Sequence, residues 1–144
     1  MDLAFRDVIH HCADVRLEKN EETWIVDDMM DAYCRLYESG FAHSVEAWHQ
    51  GELAGGIYGV SLGKCFFGES MFSRISNASS VALVKLMEYL DALSFDMLDC
   101  QIPTGHLIRF GAREVSRDRF LMELERSMGT PTKKGKWQMS DRNF

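Results

Sequence analysis

Asp99 and Gln101 stand two residues apart in the segment Leu98-Asp99-Cys100-Gln101, and Glu69 stands in Gly68-Glu69-Ser70-Met71-Phe72-Ser73-Arg74. Both segments read as the ends of β-strands. Side chains alternate along a strand, so Asp99 and Gln101 are expected on one face and Leu98 and Cys100 on the other. By the same period Glu69 and Met71 should share a face. If the two strands are neighbours, two carboxylates, an amide and a thioether converge on one cleft. A carboxylate there can take a proton from an amine. A glutamine amide is a poor base, so its work would be to orient the amine and steady an oxyanion by hydrogen bonds. Met71 with Phe66 would line an apolar, adaptable pocket, the competing reading for Phe66 being ordinary core. Hydrogen-bonded polar strand ends are common, so these residues alone leave chemistry and structure both open.

The elements that must hold these residues follow from periodicity. Phe5, Val8, Ile9 and Cys12 recur at helical spacing across residues 3–13. A polar, acidic stretch from Glu18 to Glu22 separates them from a second helix, capped by Asp27 or Asp28 and running to about Ser39. Met30, Tyr33, Leu36 and Tyr37 lie on one of its faces, and Gly40 is placed to end it. His43 to Trp48, Leu53 to Val60 and Cys65 to Phe72 read as three strands joined by turns at Gln50-Gly51 and Leu62-Gly63-Lys64. Gly55, Gly56 and Gly59 inside the second strand mark either tight sheet packing or a ligand approaching the backbone. Ser76 or Asn77 should cap a third helix to about Leu93 that buries Val81, Val84, Leu86, Met87 and Leu90. Met97 to Ile102 is a strand stopped by Pro103. After a loop around Thr104-Gly105-His106, Ser116 caps a last helix burying Phe120, Leu121 and Leu124. The predicted class is α+β: an antiparallel meander joined to a further strand by a helical crossover and flanked by helices.

The chain has 144 residues, the length of one domain, and 46% of them are hydrophobic, enough for a buried core. No apolar run approaches the roughly 18 residues of a membrane span, and no secretory signal opens the chain, so no membrane partner is expected and the cytoplasm is the expected compartment. Cys12, Cys34, Cys65 and Cys100 form no Cys-x-x-Cys pair, which predicts reduced, mostly buried thiols and neither metal nor cofactor. A net charge of −6 argues against broad adhesion to nucleic acid. Positive charge gathers late, at Arg109, Arg113, Arg117, Arg119 and Lys133-Lys134-Gly135-Lys136, where a narrow contact or plain solvated surface are the two readings.

The element order resembles the GCN5-related N-acetyltransferases, which bind an acyl donor where two parallel strands splay. Gly68-Glu69-Ser70-Met71-Phe72-Ser73-Arg74 followed by Asp99-Cys100-Gln101 resembles, more specifically, the signature of the leucyl/phenylalanyl-tRNA–protein transferases. Further islands are Phe5-x-x-Val8-Ile9-x-x-Cys12-Ala13, Thr23-Trp24-Ile25, Ala42-His43-Ser44-Val45-Glu46-x-Trp48, Gly55-Gly56-x-Tyr58-Gly59-Val60, His106-Leu107, Gly111-Ala112-Arg113-Glu114 and Pro131 to Trp137. The resemblance implies a catalytic domain that moves Leu, Phe or Met from aminoacyl-tRNA to the N-terminal amine of a protein beginning with Arg or Lys, marking it for degradation. It implies Asp99 and Gln101 as the catalytic pair, and Glu69, Ser70, Met71 and Phe66 as substrate-binding residues. The partners would be the acceptor end of aminoacyl-tRNA and the acceptor protein. The family's smaller N-terminal domain, which carries much of its RNA-binding surface, is not matched here, which leaves room for a separate chain that supplies it. Two other readings stand beside this one: a non-catalytic or partner-dependent binding domain of the same fold, and an acyl-CoA N-acetyltransferase. The second needs a glycine-rich pyrophosphate loop, and Arg74-Ile75-Ser76-Asn77-Ala78-Ser79 lacks it.

Overall fold

The computed structural model describes residues 1–18 and 25–138. The acidic stretch beyond Glu18 and the Thr23-Trp24 part of the resemblance lie outside the described residues. The elements are α1 (Phe5–Glu18), α2 (Asp27–Glu38), β1 (Ala42–His49), β2 (Glu52–Leu62), β3 (Cys65–Ser73), α3 (Ala78–Ala92), β4 (Met97–Asp99), α4 (Gly105–Arg109) and α5 (Arg117–Met128). One sheet runs in the order β1-β2-β3-β4. β1, β2 and β3 form the predicted antiparallel meander, and β4 lies parallel to β3 after the α3 crossover. The α+β arrangement expected from the sequence is therefore present.

Local chemistry explains most boundaries. Gly40 has φ +78°, and its N–H and that of Phe41 bond back to Tyr37 and Leu36, closing α2 as a Schellman motif. Gln50 and Gly51 both have positive φ, the requirement of a two-residue hairpin turn matched to strand twist. The Ser116 hydroxyl accepts from the Arg119 N–H, so α5 begins at its expected cap. α2 does not: Val26 is its N-cap, and Asp27 and Asp28 lie inside the first turn, where they oppose the helix dipole instead. Nor does the Asn77 side chain cap α3; Asn77 is left-handed at φ +66°, and the Ser73 hydroxyl accepts from the Ser79 N–H.

The sheet is covered on both faces. Phe5, Val8, Ile9 and Cys12 of α1 and Met30 and Cys34 of α2 pack with Ala42, Tyr58 and Phe72 on one side. On the other, α3 buries Ala82, Leu83, Leu86, Tyr89 and Leu90 against Val45, Ile57, Phe66 and Trp137. This corrects the expected buried face of α3, for Val81, Val84 and Met87 are exposed. Helix α3 is apolar nearly all round, so periodicity could not choose its inner stripe; close approach to β2 chose it. A Cβ on Gly55 would stand 2.7 Å from the Ala78 Cβ, so this glycine admits the helix rather than a ligand. Leu36 of α2 and Leu121 of α5 are exposed as well, while Ser127, unremarkable in sequence, is fully buried.

A buried polar cluster fastens the two ends of the described chain. Asp2 accepts from Ser44 N–H at 2.8 Å and from Trp137 N–H at 2.7 Å, and His43 Nδ1 donates to it at 2.9 Å. The Trp137 indole stacks on His43 with centroids 3.8 Å apart and is 1% exposed. The tail read as solvated thus delivers its one tryptophan to the core. Trp137→Ala should lower the unfolding free energy by about 3–5 kcal/mol, the cost of deleting a buried aromatic, measurable by urea denaturation.

Candidate active site at the parting of two strands

The pairing of β3 with β4 is brief: Cys65, Phe66 and Phe67 sit opposite Met97, Leu98 and Asp99, and there it stops. β3 continues to Ser73 along β2, whereas the chain leaving Asp99 turns away. Gln101 adopts φ +63°, and the Ile102 N–H bonds to the Cys100 carbonyl at 2.6 Å. The expected strand Met97 to Ile102 is therefore cut short at Asp99, and strand alternation does not relate Asp99 to Gln101. A turn does so instead. The Gln101 N–H donates to Asp99 Oδ1 at 2.9 Å, and Gln101 Nε2 reaches across the gap to the Gly68 carbonyl at 3.1 Å.

A second irregularity lies opposite. Tyr58 pairs with Ser70 and Gly59 with Gly68, so Glu69 is an extra residue in β3, a β-bulge. A bulge inverts alternation, and the packing shows it. Phe66 belongs to the α3 side and Phe72 to the α1 side, although an even number of residues separates them. Glu69 and Ser70 consequently both face α1 and α2, and Met71 faces α3. The expectation that Glu69 and Met71 share a face fails for this reason. Gly68 was the available signal, since an isolated glycine within a strand often marks a bulge.

The polar candidates do converge. Leu98 packs on the α3 side, so its neighbour Asp99 projects to the same face as Glu69, with Gln101 bound to the carbonyl just before Glu69. Two tyrosines to which sequence reasoning gave no part in the site join them. The Tyr33 hydroxyl is hydrogen-bonded to Glu69; burial first, then that carboxylate, push its pKa up. Tyr58 meets Tyr33 edge to face at 5.3 Å. The hydroxyl of Tyr58 is buried without a hydrogen-bond partner among the described residues, the condition of a group that awaits a polar ligand or water, and the Ser70 hydroxyl beside it has the Cys12 thiol for its neighbour. Met71 and Phe66 do share the second core cluster, Met71 half-buried at its margin and Phe66 1% exposed within it. Among the described residues no group of three or more His, Cys, Asp or Glu is placed to hold a metal.

Cysteine chemistry is suppressed throughout. All four thiols are free, and Cys12, Cys34 and Cys65 are buried. Burial pushes Cys12 and Cys65 up to about 12. Cys100, between the two catalytic candidates, is raised by burial and then by the Asp99 carboxylate. A thiol held protonated is a weak nucleophile, so nothing here favours a covalent thioester.

The family model for leucyl/phenylalanyl-tRNA protein transferase matches residues 1–125. The chain belongs to this family. It is 52% identical over 143 residues to the leucyl/phenylalanyl-tRNA–protein transferase of Desulfatibacillum aliphaticivorans, covering 99% of this chain and 61% of that protein. The Myxococcus xanthus protein of the same name is 54% identical over 136 residues, covering 94% and 58%. That of Syntrophobacter fumaroxidans is 57% identical over 120 residues, covering 83% and 51%. The chain thus spans between half and three-fifths of the length of these relatives.

The buried thiols set a pH dependence. Above the ordinary value of 9.0 an unfolded chain loses its thiol protons, while folded Cys12 and Cys65 keep theirs to about 12. The unfolded state then binds fewer protons than the folded one, so stability falls as pH rises through that window. Urea denaturation between pH 8 and 11 should show the decline, and Cys12→Ala should flatten it.

Proposed function

We propose that this chain carries the transfer step of its family: Leu, Phe or Met passes from aminoacyl-tRNA to the α-amine of a protein beginning with Arg or Lys, marking that protein for degradation. The observation that carries the proposal is the tie made by Gln101. The Gly68 carbonyl can only accept, so it takes the amide Nε2 of Gln101 and leaves Oε1 to accept from a substrate amine. The backbone N–H of the same residue holds Asp99 Oδ1, which leaves Oδ2 without a partner among the described residues. Two acceptors are thus fixed side by side before any substrate arrives.

An N-terminal amine has a pKa near 7.7–8.0, so roughly a tenth of it is uncharged at neutral pH and the rest lies within about one unit of losing its proton. Its nitrogen attacks the ester carbonyl, the new N–C bond forms and the C–O bond to the terminal ribose breaks. The proton shed by the amine passes by way of Asp99 to the departing hydroxyl. An aminoacyl ester is already activated, so holding the amine in place supplies much of the rate. Glu69, with Tyr33 bonded to it and the unpartnered Tyr58 hydroxyl and Ser70 beside it, suits the ammonium and carbonyl of the aminoacyl end. Met71, half-buried at the margin of the apolar cluster under α3, would meet the donor side chain, with Phe66 behind it. Arg109 flanks a separate cavity of ≈ 380 Å³ before α3 and is the cation available to an acceptor-end phosphate. The cytoplasm is the compartment this reading implies; no helix among the described residues is long and apolar enough to cross a membrane.

Transfer of labelled Leu, Phe or Met from tRNA to a peptide beginning with Arg tests the proposal. Asp99→Asn still accepts the Gln101 N–H, so the turn survives. The rate should fall by about 10²–10⁴, the usual loss of a general base, at an unchanged melting temperature. Full activity of both this variant and Gln101→Ala refutes the assignment. Met71→Ala should weaken use of Leu and Phe donors by about 1–3 kcal/mol, read as kcat/KM ratios, because an apolar pocket contact is worth that much. Unchanged donor preference would return Met71 to plain core.

A further inference from the structure

A cavity of ≈ 580 Å³ runs beside β4, and every residue from Asp96 to Pro103 lines it. Side chains alternate along a strand, so Met97, Leu98 and Asp99 in succession border one cavity only if it follows the open edge of β4 rather than either face. Among the described residues β4 pairs with β3 alone, so its other edge faces this space, where the Leu98 carbonyl has only a long contact from the Cys100 Sγ at 4.0 Å. An exposed edge of this kind is a template for an added strand.

We infer that this edge receives the acceptor protein, whose first residues add as a strand antiparallel to β4 with the N-terminal amine at Asp99 and Gln101. This deepens the function proposed above and rests on it. Direction follows from the local backbone. Beyond Gln101 the turn consumes its own groups, Ile102 N–H on Cys100 and Thr104 N–H on Ile102, and Pro103 has no N–H. Only the stretch back toward Met97 offers a ladder. An acceptor whose amine lies at the C-terminal end of β4 must therefore run against it. Three strand residues span about 10 Å, enough for the first three acceptor residues and no more.

Charge in the cavity matches an acceptor that begins with a cation. Asp96, Asp99, Glu114 and Glu123 line it against Arg113 and Arg117. Glu123 is taken by Arg119 at 2.8 Å, and Asp96 by Arg126 at 3.5 Å and the Ser127 hydroxyl at 3.0 Å. Glu114 has no partner among the described residues, which makes it the carboxylate free to meet the first side chain, Arg or Lys, while Asp99 serves the amine.

The test uses Arg-initiated peptides with single N-methylated amides, assayed for transfer and, separately, for protection of β4 amides from hydrogen exchange. Methylation at residue 2 or residue 3, whichever points at β4, should raise KM about tenfold, one ladder bond's worth, while residue 5 tolerates it. The unmodified peptide should slow exchange at Met97 to Asp99, and Glu114→Gln should reduce the preference for Arg over a neutral first residue about tenfold. Transfer that tolerates methylation at both positions, or peptide binding without protection of β4, overturns the edge proposal and leaves the transfer reading intact. A peptide neither bound nor used overturns both. Protection already present without peptide, in a dimer that peptide does not dissociate, also overturns the edge proposal, since a second copy would then occupy the strand.

Discussion

The extra residue in β3 is the constraint on which the site depends. A regular strand would place Glu69 with Met71 and send both to one face of the sheet. Because Glu69 bulges, the carboxylate and Ser70 turn toward the tyrosines of α2 and β2, and Met71 turns toward the apolar side chains under α3. One short segment thereby feeds a polar compartment and an apolar one, on opposite faces of a single sheet. An aminoacyl group has the same division, with an ammonium and an ester at one end and a hydrocarbon side chain at the other.

The second constraint is the brevity of β4. Three paired residues anchor it, and its release at Asp99 opens the gap that Gln101 then spans. Backbone groups freed at such a parting must find partners, and here the Gly68 carbonyl finds a side-chain amide. A structural obligation and the orientation of a catalytic candidate are met by one hydrogen bond. The same early release leaves β4 with an open edge beside a cavity, so the gap and the edge arise from one geometry.

Both constraints need a stiff frame. α1 and α3 grip opposite faces of the meander, with Gly55 letting α3 lie directly on β2. The Asp2, His43 and Trp137 cluster draws distant parts of the chain onto β1. Removing one member of so buried a polar group strands the others, which is why these contacts hold the frame and do not merely decorate it.

The elements themselves were legible because local chemistry dictates them. Gly40 ends α2, Gln50 and Gly51 make a hairpin, and Ser116 caps α5, each through bonds among near neighbours. The motif residues were legible too, since Asp99, Gln101 and Glu69 sit in the two segments that carry the family resemblance. What the residues do to one another was not. Whether Glu69 faces with or against Met71 turns on one extra residue in a ladder, and a one-residue slip reverses every side chain beyond it. The inner face of α3 was undecidable from a helix apolar nearly all round, and the burial of Trp137 from a tail otherwise made of lysines. Tyr33 looked like one more residue on the inner face of α2 because its partner, Glu69, lies far away in the chain. Sequence by itself determined most of the elements, the family and the candidate groups, which depend on local bonding and residue identity, but not the end of β4 at Asp99 or the short helix α4 in an expected loop. Only the tertiary structure decided faces, partners and the open edge, because those depend on which distant strands and helices come to share a hydrogen bond or a buried surface.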